Sequence, residues 1–314
     1  MRRFIINTII FALLFTVCLI PHFCLFIYYE RMAHTCNCEE PYMEINRIYK
    51  MKDANANIIV TGNSRAEASY NDSILSNELG QKCINIGWSG YPFIHQYHVM
   101  IKTYLSQNKK PDLIIQEIGP WAFLDHVNPK YTVEFLPYLD NSSFHFLEDI
   151  CPELTKWDQF MMIRYAGKTS RIIDELKYIK GIKEKHPHRS GFISNYFKNK
   201  QQLECDPVII DLFKRYVQEC REKDIKLIFV CSPIHILEGQ QYFDMNGFWA
   251  IFNRIAKSNN IMVLNYQNLY RNDTIYFQDA MHLNKYGRDC FSRKIAHDLD
   301  SLNIIPTKHN RLIH

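Results

Sequence analysis

Residues 57–64 of the chain read Asn-Ile-Ile-Val-Thr-Gly-Asn-Ser, a short run with a β-branched centre that stops at a glycine. β-Branched residues favour strands, and a run that is apolar without alternation is typical of a strand buried on both faces. The glycine ends the strand, and a serine follows two residues later. The stretch therefore predicts a buried strand whose carboxyl end carries a polar turn.

Four later runs have the same apolar character and alternate with segments of helical spacing. The runs lie at 82–86, 113–118, 226–231 and 261–264, and the helical segments at 92–107, 207–223, 247–258 and 284–302. Continuously apolar strands that alternate with helices predict an α/β fold with a parallel sheet covered on both faces. We therefore expect a three-layer, flavodoxin-like α/β/α domain with five strands, in which ligands bind at the carboxyl ends of the strands.

The amino terminus predicts a membrane anchor. Arg2 and Arg3 are followed by a run without charges, 4–29, which is long enough to cross a bilayer as a helix. A cleaved signal peptide is the alternative, although the run exceeds the usual length of a signal core. The two arginines favour a cytoplasmic amino terminus with the rest of the chain outside the cytoplasm.

These features divide the chain into four parts. We expect an anchor or uncleaved signal at 1–30, a connector at 31–56, a domain at 57–302 and a tail at 303–314. Within the domain the strand–helix alternation stops between about 120 and 206, where aromatic residues are frequent. A loop of that length without structure would be unusual, so the segment predicts a helical insertion after the third strand that overhangs the carboxyl edge of the sheet.

Charge and cysteine spacing argue against a nucleic-acid partner and against a bound metal. The formal net charge is only +4, and the lysines at 177–185 alternate with acidic residues, so we expect no nucleic-acid binding. The ten cysteines have no spacing typical of a metal site, and we expect neither a metal nor another cofactor. Outside the cytosol, the cysteines could form one or two disulfides.

Three segments that follow strands carry polar or glycine residues of chemical interest. The first holds Ser64, at a strand-to-helix turn that would lift its hydroxyl above the sheet. The second, 85–90, reads Asn-Ile-Gly-Trp-Ser-Gly, and its glycines permit close backbone approach to a ligand. Taken alone, Ser64 could be a helix N-cap, and the glycines an ordinary turn.

The third segment, 279–287, combines a carboxylate and an imidazole three residues apart. Asp279 and His282 can meet across one turn, where the carboxylate would hold the Nδ1–H of the ring. The other ring nitrogen is then free to take a proton from a hydroxyl. This spacing, at what we expect to be the opening of the last helix, predicts an acid–base pair.

Taken in chain order, the three segments resemble the conserved blocks of the SGNH, or GDSL-like, hydrolases and acyltransferases of the membrane-anchored type. The likeness covers most of 57–302. It implies that Ser64 is the nucleophile and that Asp279 and His282 complete a catalytic triad. It also implies an oxyanion hole formed by the N–H groups of Ser64 and Gly90, with Gly87 as the fallback.

One block of the family is not matched. In the family this block follows strand three and contains an asparagine that donates a hydrogen bond to the oxyanion. The corresponding residues 119–122 read Gly-Pro-Trp-Ala and contain no asparagine. The indole N–H of Trp121 is a donor and could take that place, or Trp121 could pack beneath the insertion. Loss of one oxyanion donor typically costs about 10²–10³ in rate.

The resemblance implies a serine-dependent esterase or O-acyltransferase that acts on an ester of a cell-surface glycan or another envelope component. The expected partners are the membrane, through the amino-terminal helix, an ester-bearing glycan or small acyl substrate, and a membrane acyltransferase. The alternative is a catalytically inactive SGNH-like protein that binds glycan or docks beside a membrane acyltransferase, for which the unmatched block is the best support.

Overall fold

The computed structural model describes residues 1–35, 51–88, 96–119, 173, 176–177, 207–235 and 245–305. Within these ranges five strands form the sheet: β1 (Ile58–Thr61), β2 (Cys83–Asn85), β3 (Leu113–Glu117), β4 (Lys226–Cys231) and β5 (Met262–Asn265). The helices are α1 (Arg2–Thr35), α2 (Ser64–Ser69), α3 (Asp72–Leu79), α4 (Lys102–Gln107), α5 (Pro207–Glu222), α6 (Met245–Ser258) and α7 (Lys285–Ser301). A π-helical segment, Gln96–Ile101, precedes α4, and a 3₁₀ turn, Thr274–Tyr276, follows β5.

All neighbouring strands of the sheet run parallel, in the order β2-β1-β3-β4-β5. The order reverses between β1 and β3, which both pair with neighbours on either side, as in other flavodoxin-like sheets. The predicted α/β class and the five-stranded parallel sheet are therefore confirmed. The crevice expected at such a reversal lies at the carboxyl ends of β1 and β3.

Alternate strand residues pack into two separate cores, one on each face of the sheet. Ile59, Ile114 and Phe229 face the core formed with α5 and α6. Ile58, Val60, Ile115, Ile228 and Val230 face the core formed with α3 and α7. Because both faces are covered, most strand positions are apolar, and this explains why the sequence shows continuous runs instead of alternation.

The predicted element ends differ from the observed ones by at most two residues, except at the start of the helix predicted at 92–107, which lies outside the described residues. The strands predicted at 57–61, 82–86 and 113–118 are each one or two residues shorter in the structure, and β5 is shifted by one residue. Helix α6 starts two residues earlier than predicted. Only three residues of the predicted insertion are described, Ile173, Leu176 and Lys177, all helical, so the insertion itself lies outside the described residues.

Helix α1 contains a stretch, Arg2–Tyr29, that is long and apolar enough to span a membrane. Its mean hydropathy is 2.5 over the most apolar window, and none of that window is buried by the rest of the protein. Pro21 lies inside the helix without ending it. A signal sequence meets the same criteria, so the alternative of a cleaved leader stays open.

Phe252 lies at the centre of an aromatic group and tests the packing of the α6 face. Its ring centroid is 4.9 Å from that of Phe229 and 5.7 Å from that of Phe248, and the side chain is fully buried. We expect Phe252→Ala to lower the free energy of unfolding by about 3–5 kcal/mol, measured by urea denaturation. The control, Ile275→Ala, removes a side chain that is 58% exposed and should change it by less than about 0.5 kcal/mol. Equal losses in the two variants would contradict this packing.

Candidate active site

The turn between β1 and α2 places Ser64 at the carboxyl edge of the sheet. Gly62 has a φ of +151°, and a Cβ there would lie 2.7 Å from Cβ of Glu117 and 2.8 Å from Cβ of Ala66. Only glycine therefore fits between β3 and α2. The N-cap of α2 is Asn63, whose Oδ1 accepts the N–H of Arg65 at 3.0 Å. Ser64 is thus not the helix cap, and its hydroxyl is free of that task.

The segment after β2 braces the helix that carries Ser64. The Nδ2 of Asn85 donates to the carbonyl oxygens of Ala66 at 2.9 Å and Tyr70 at 3.0 Å. A Cβ on Gly87 would lie 2.5 Å from Cβ of Ala66, so the backbone at Gly87 passes directly against α2. Gly87 therefore allows the segment after β2 to pack closely against α2.

A tight loop before α7 carries Asp279 and His282. The loop is closed by the N–H of Gln278, which donates to the carbonyl of His282 at 3.0 Å, and by the N–H of Asn284, which donates to that of Tyr276 at 2.9 Å. The side chain of Asn284 caps α7 by accepting the N–H of Gly287 at 2.9 Å. Asp279 and His282 therefore lie in the loop that leads into α7, just before the N-cap residue Asn284.

The structure brings Ser64, His282 and Asp279 into one hydrogen-bonded relay. Nε2 of His282 lies 2.8 Å from Oγ of Ser64, and Nδ1 lies 2.9 and 3.0 Å from the two carboxylate oxygens of Asp279. Because a carboxylate only accepts, Nδ1 must carry a proton, and in the neutral imidazole Nε2 is then the acceptor for the serine hydroxyl. This is the arrangement in which an imidazole can act as a general base towards a serine.

Local hydrogen bonds keep Asp279 ionised. Burial raises the pKa of its carboxyl, but the bonds from His282 and from the backbone N–H groups of Met281 and His282 outweigh that effect. The net pKa lies below the ordinary value of 3.8. An ionised Asp279 both orients the imidazole and can stabilise an imidazolium.

The described N–H groups near Ser64 differ in their availability to an oxyanion. The N–H of Gly87 donates to Oδ1 of Asn85 at 2.9 Å, and that of Trp88 donates to the carbonyl of Gly62 at 2.8 Å. The fallback assignment of Gly87 is therefore disfavoured. Ser64 is the first residue of α2, where a backbone N–H has no acceptor within the helix. Gly90 and Trp121 lie outside the described residues.

A buried polar cluster beneath Ser64 was not found by sequence reasoning. It consists of Arg65, Glu117, Tyr70 and Ser232, and Oε1 of Glu117 lies 3.3 Å from the Arg65 guanidinium. Both charged side chains are almost completely buried. A glutamate at the end of the buried strand β3 was the available signal, because such residues are rarely buried unless they are paired. In the part of the chain that the structure describes, no group of three or more His, Cys, Asp or Glu residues is arranged to hold a metal.

Several solved structures are similar to this chain. They include a protein from Desulfitobacterium hafniense DCB-2 described as lipolytic and of the G-D-S-L family, with 11% identity over 77% of this chain and 98% of that chain, at a TM-score of 0.41. An acetyl xylan esterase has 15% identity over 78% of this chain and 98% of that chain, with a TM-score of 0.39. A GDSL-like lipase from Bacteroides thetaiotaomicron has 12% identity over 79% of this chain and 89% of that chain, with a TM-score of 0.37. No protein-family model and no curated protein sequence matches the chain.

The lowered pKa of Asp279 predicts how Asp279→Asn changes the pH dependence of stability. Because the folded-state pKa is depressed, the contribution of Asp279 is present above pH 3.8 and is lost as the pH falls through its folded-state value. We expect the difference in unfolding free energy between wild type and Asp279→Asn to shrink as the pH falls from about 6 through 3.8 and below. Urea denaturation at a series of pH values measures it. A difference that is constant over this range would contradict the assigned shift.

Proposed function

We propose that the protein is a serine-dependent esterase or O-acyltransferase of the SGNH type. The observation that carries this proposal is the continuous relay from Oγ of Ser64 through His282 to the carboxylate of Asp279, with the first link at 2.8 Å. A protein that only binds a glycan has no need for a hydroxyl paired with an oriented imidazole. The relay therefore favours the enzyme over the inactive binding module.

The proposed reaction is acyl transfer through a covalent intermediate. His282 takes the proton of Ser64 as its Oγ attacks the carbonyl carbon of an ester, and the C=O electrons move to the oxygen. The N–H of Ser64 donates to that oxyanion, and Gly90 is the proposed second donor. The protonated His282 then gives its proton to the departing alkoxide, which leaves an acyl-serine and a free alcohol.

Release of the acyl group repeats these steps with a new hydroxyl compound. His282 takes a proton from water or from an acceptor alcohol, whose oxygen attacks the acyl-serine and restores Ser64. Water yields a carboxylic acid, and an alcohol yields a new ester. The triad serves both acceptors equally, so hydrolysis and transfer differ only in which acceptor occupies the site.

The proposed substrate is an ester on a cell-surface glycan or another envelope component. The support is α1, since a stretch of this length and hydropathy would hold the domain at a membrane. Arg2 and Arg3 lie at the amino-terminal end of α1 and would keep that end in the cytoplasm, so that the domain lies on the other side of the membrane. A membrane acyltransferase that supplies acyl groups is the proposed protein partner.

The nucleophile is tested by labelling with a fluorophosphonate probe. We expect the full-length protein to be labelled and Ser64→Ala to remain unlabelled, because the probe reacts with a serine that is activated by a neighbouring base. Ser69→Ala is the matched control, since Ser69 lies on the same helix but is completely buried. It should be labelled like the wild type. A folded wild-type protein that is not labelled would favour the binding module.

The choice between water and an alcohol is tested by product analysis. The full-length protein is incubated with p-nitrophenyl acetate and increasing concentrations of an oligosaccharide, and the acetylated sugar and free acetate are quantified by mass spectrometry. A transferase gives acetylated sugar at the expense of acetate. A hydrolase gives acetate at a rate that the sugar does not change. Either product should be lost in Ser64→Ala, and acetate release that persists there would contradict the proposed nucleophile.

A further inference from the structure

Glu117, the last residue of β3, accepts hydrogen bonds from three directions. Its Oε1 accepts from the backbone N–H of Ser232 at 3.0 Å and from the hydroxyl of Ser232 at 2.7 Å, and it faces the guanidinium of Arg65 at 3.3 Å. Its Oε2 accepts from the hydroxyl of Tyr70 at 2.7 Å. Burial raises the pKa of Glu117 above its ordinary value, and Arg65, Ser232 and Tyr70 limit that rise. Since each of these partners donates, the group acts as an acceptor, which is the property of a carboxylate.

The partners of Glu117 lie at both ends of the helix that carries the nucleophile. Arg65 is the second residue of α2, and Tyr70 is its C-cap residue. The Cβ of Glu117 also packs against Gly62, directly before the helix. A helix of six residues is too short to be stable on its own, so its position must come from tertiary contacts. One side chain thus contacts the residue Gly62 before α2, Arg65 at the start of α2 and Tyr70 at its end.

The same cluster reaches the loop that carries the acid and the base. Ser232 is bonded to Glu117 and also to Arg65, whose Nη2 donates to the Ser232 carbonyl at 2.5 Å and to its hydroxyl at 3.0 Å. Three residues later the N–H of His235 donates to the carbonyl of Ala280 at 3.0 Å. Ala280 follows Asp279 directly. The Glu117 cluster therefore connects the nucleophile helix to the acid–base loop through a short stretch of chain.

We infer that Glu117 is a positioning residue that sets the placement of Ser64 relative to His282, acting through Arg65 and Tyr70. The inference rests on the proposed function, because it assigns the cluster to the same reaction. A buried ion pair contributes little net stability compared with apolar side chains of the same volume. Its value here is geometric, since it fixes a short helix whose serine must stay within hydrogen-bond distance of an imidazole on another segment.

The structure offers a matched pair of tyrosines for testing this role. Tyr70 donates to Glu117 at 2.7 Å, and Tyr266 donates to Asp298 at 2.6 Å. Both rings also pack edge-on against Phe291, at centroid distances of 5.4 and 5.3 Å. Phenylalanine at either position removes one hydroxyl–carboxylate bond and keeps the ring contact. Only the bond of Tyr70 belongs to the Glu117 cluster.

The experiment compares full-length wild type, Tyr70→Phe and Tyr266→Phe. We measure the rate of Ser64 labelling by the fluorophosphonate probe, kcat and KM for p-nitrophenyl acetate, and Tm. We expect Tyr70→Phe to lower both the labelling rate and kcat by about 10- to 100-fold with KM unchanged, because a small misplacement of a reacting group has effects of this size. Tyr266→Phe should keep wild-type rates, although its Tm should fall by a similar amount.

Glu117→Gln gives a stronger form of the same test. The amide keeps the shape of the side chain but presents a donor to partners that also donate, so we expect a loss in kcat at least as large as in Tyr70→Phe. If Glu117→Gln fails to fold, the tyrosine pair still decides the question.

The outcomes separate this inference from the proposed function. Wild-type rates in Tyr70→Phe, or equal rate losses in both tyrosine variants, would overturn the positioning role while labelling of Ser64 in the wild type still supports the enzyme. A folded wild type that is not labelled would overturn the proposed function, and the positioning role with it. Slowing confined to Tyr70→Phe and Glu117→Gln supports the inference.

Discussion

A hydrogen bond between Nε2 of His282 and Oγ of Ser64 joins two residues that are 218 positions apart in the chain. It can form only if the carboxyl ends of the strands point the same way, which the parallel sheet ensures. Ser64 follows β1 near the middle of the sheet, whereas His282 follows β5 at its edge. Helix α7 spans this separation by packing against α3, where Ser292 accepts the N–H of Asn71 at 2.8 Å and Asp289 accepts its side-chain amide at 2.8 Å. The loop at the start of α7 is thereby held over β1.

The interior beneath this hydrogen bond is polar, which is unusual for the centre of a parallel sheet. Arg65 and Glu117 are buried together, and removal of two charges from water is costly unless their remaining hydrogen-bonding capacity is used. Tyr70 and Ser232 supply those bonds. Polar groups in such a network have one favourable arrangement, whereas apolar side chains tolerate many. A polar network therefore suits a site in which two segments must be held at a fixed distance.

The sequence predicted the sheet and the three members of the relay more readily than the details of their support. The strands were recognisable because burial on both faces leaves continuous apolar runs, as at 113–118 and 226–231. The spacing of Asp279 and His282 indicated their meeting, but the loop that holds them depends on Asn284 and Gly287 packing against the 3₁₀ turn. Glu117 in a mainly apolar run indicates a buried, paired carboxylate, but no local pattern indicates that Tyr70 and Ser232 are its partners. Their cluster could not be derived without the fold, and the roles of Gly90, Trp121 and the segment 120–206 stay predictions.

The central claim is that Ser64 is a nucleophile activated by His282, and the structure of a covalent adduct tests it most directly. Crystals of the full-length protein treated with a small fluorophosphonate would show where the phosphonyl group is attached. The account predicts a bond from phosphorus to Oγ of Ser64, with a phosphonyl oxygen facing the N–H of Ser64 and the His282 ring still bonded to Asp279. An unmodified Ser64 whose hydroxyl points away from His282, or a phosphonyl group on another residue, would contradict it.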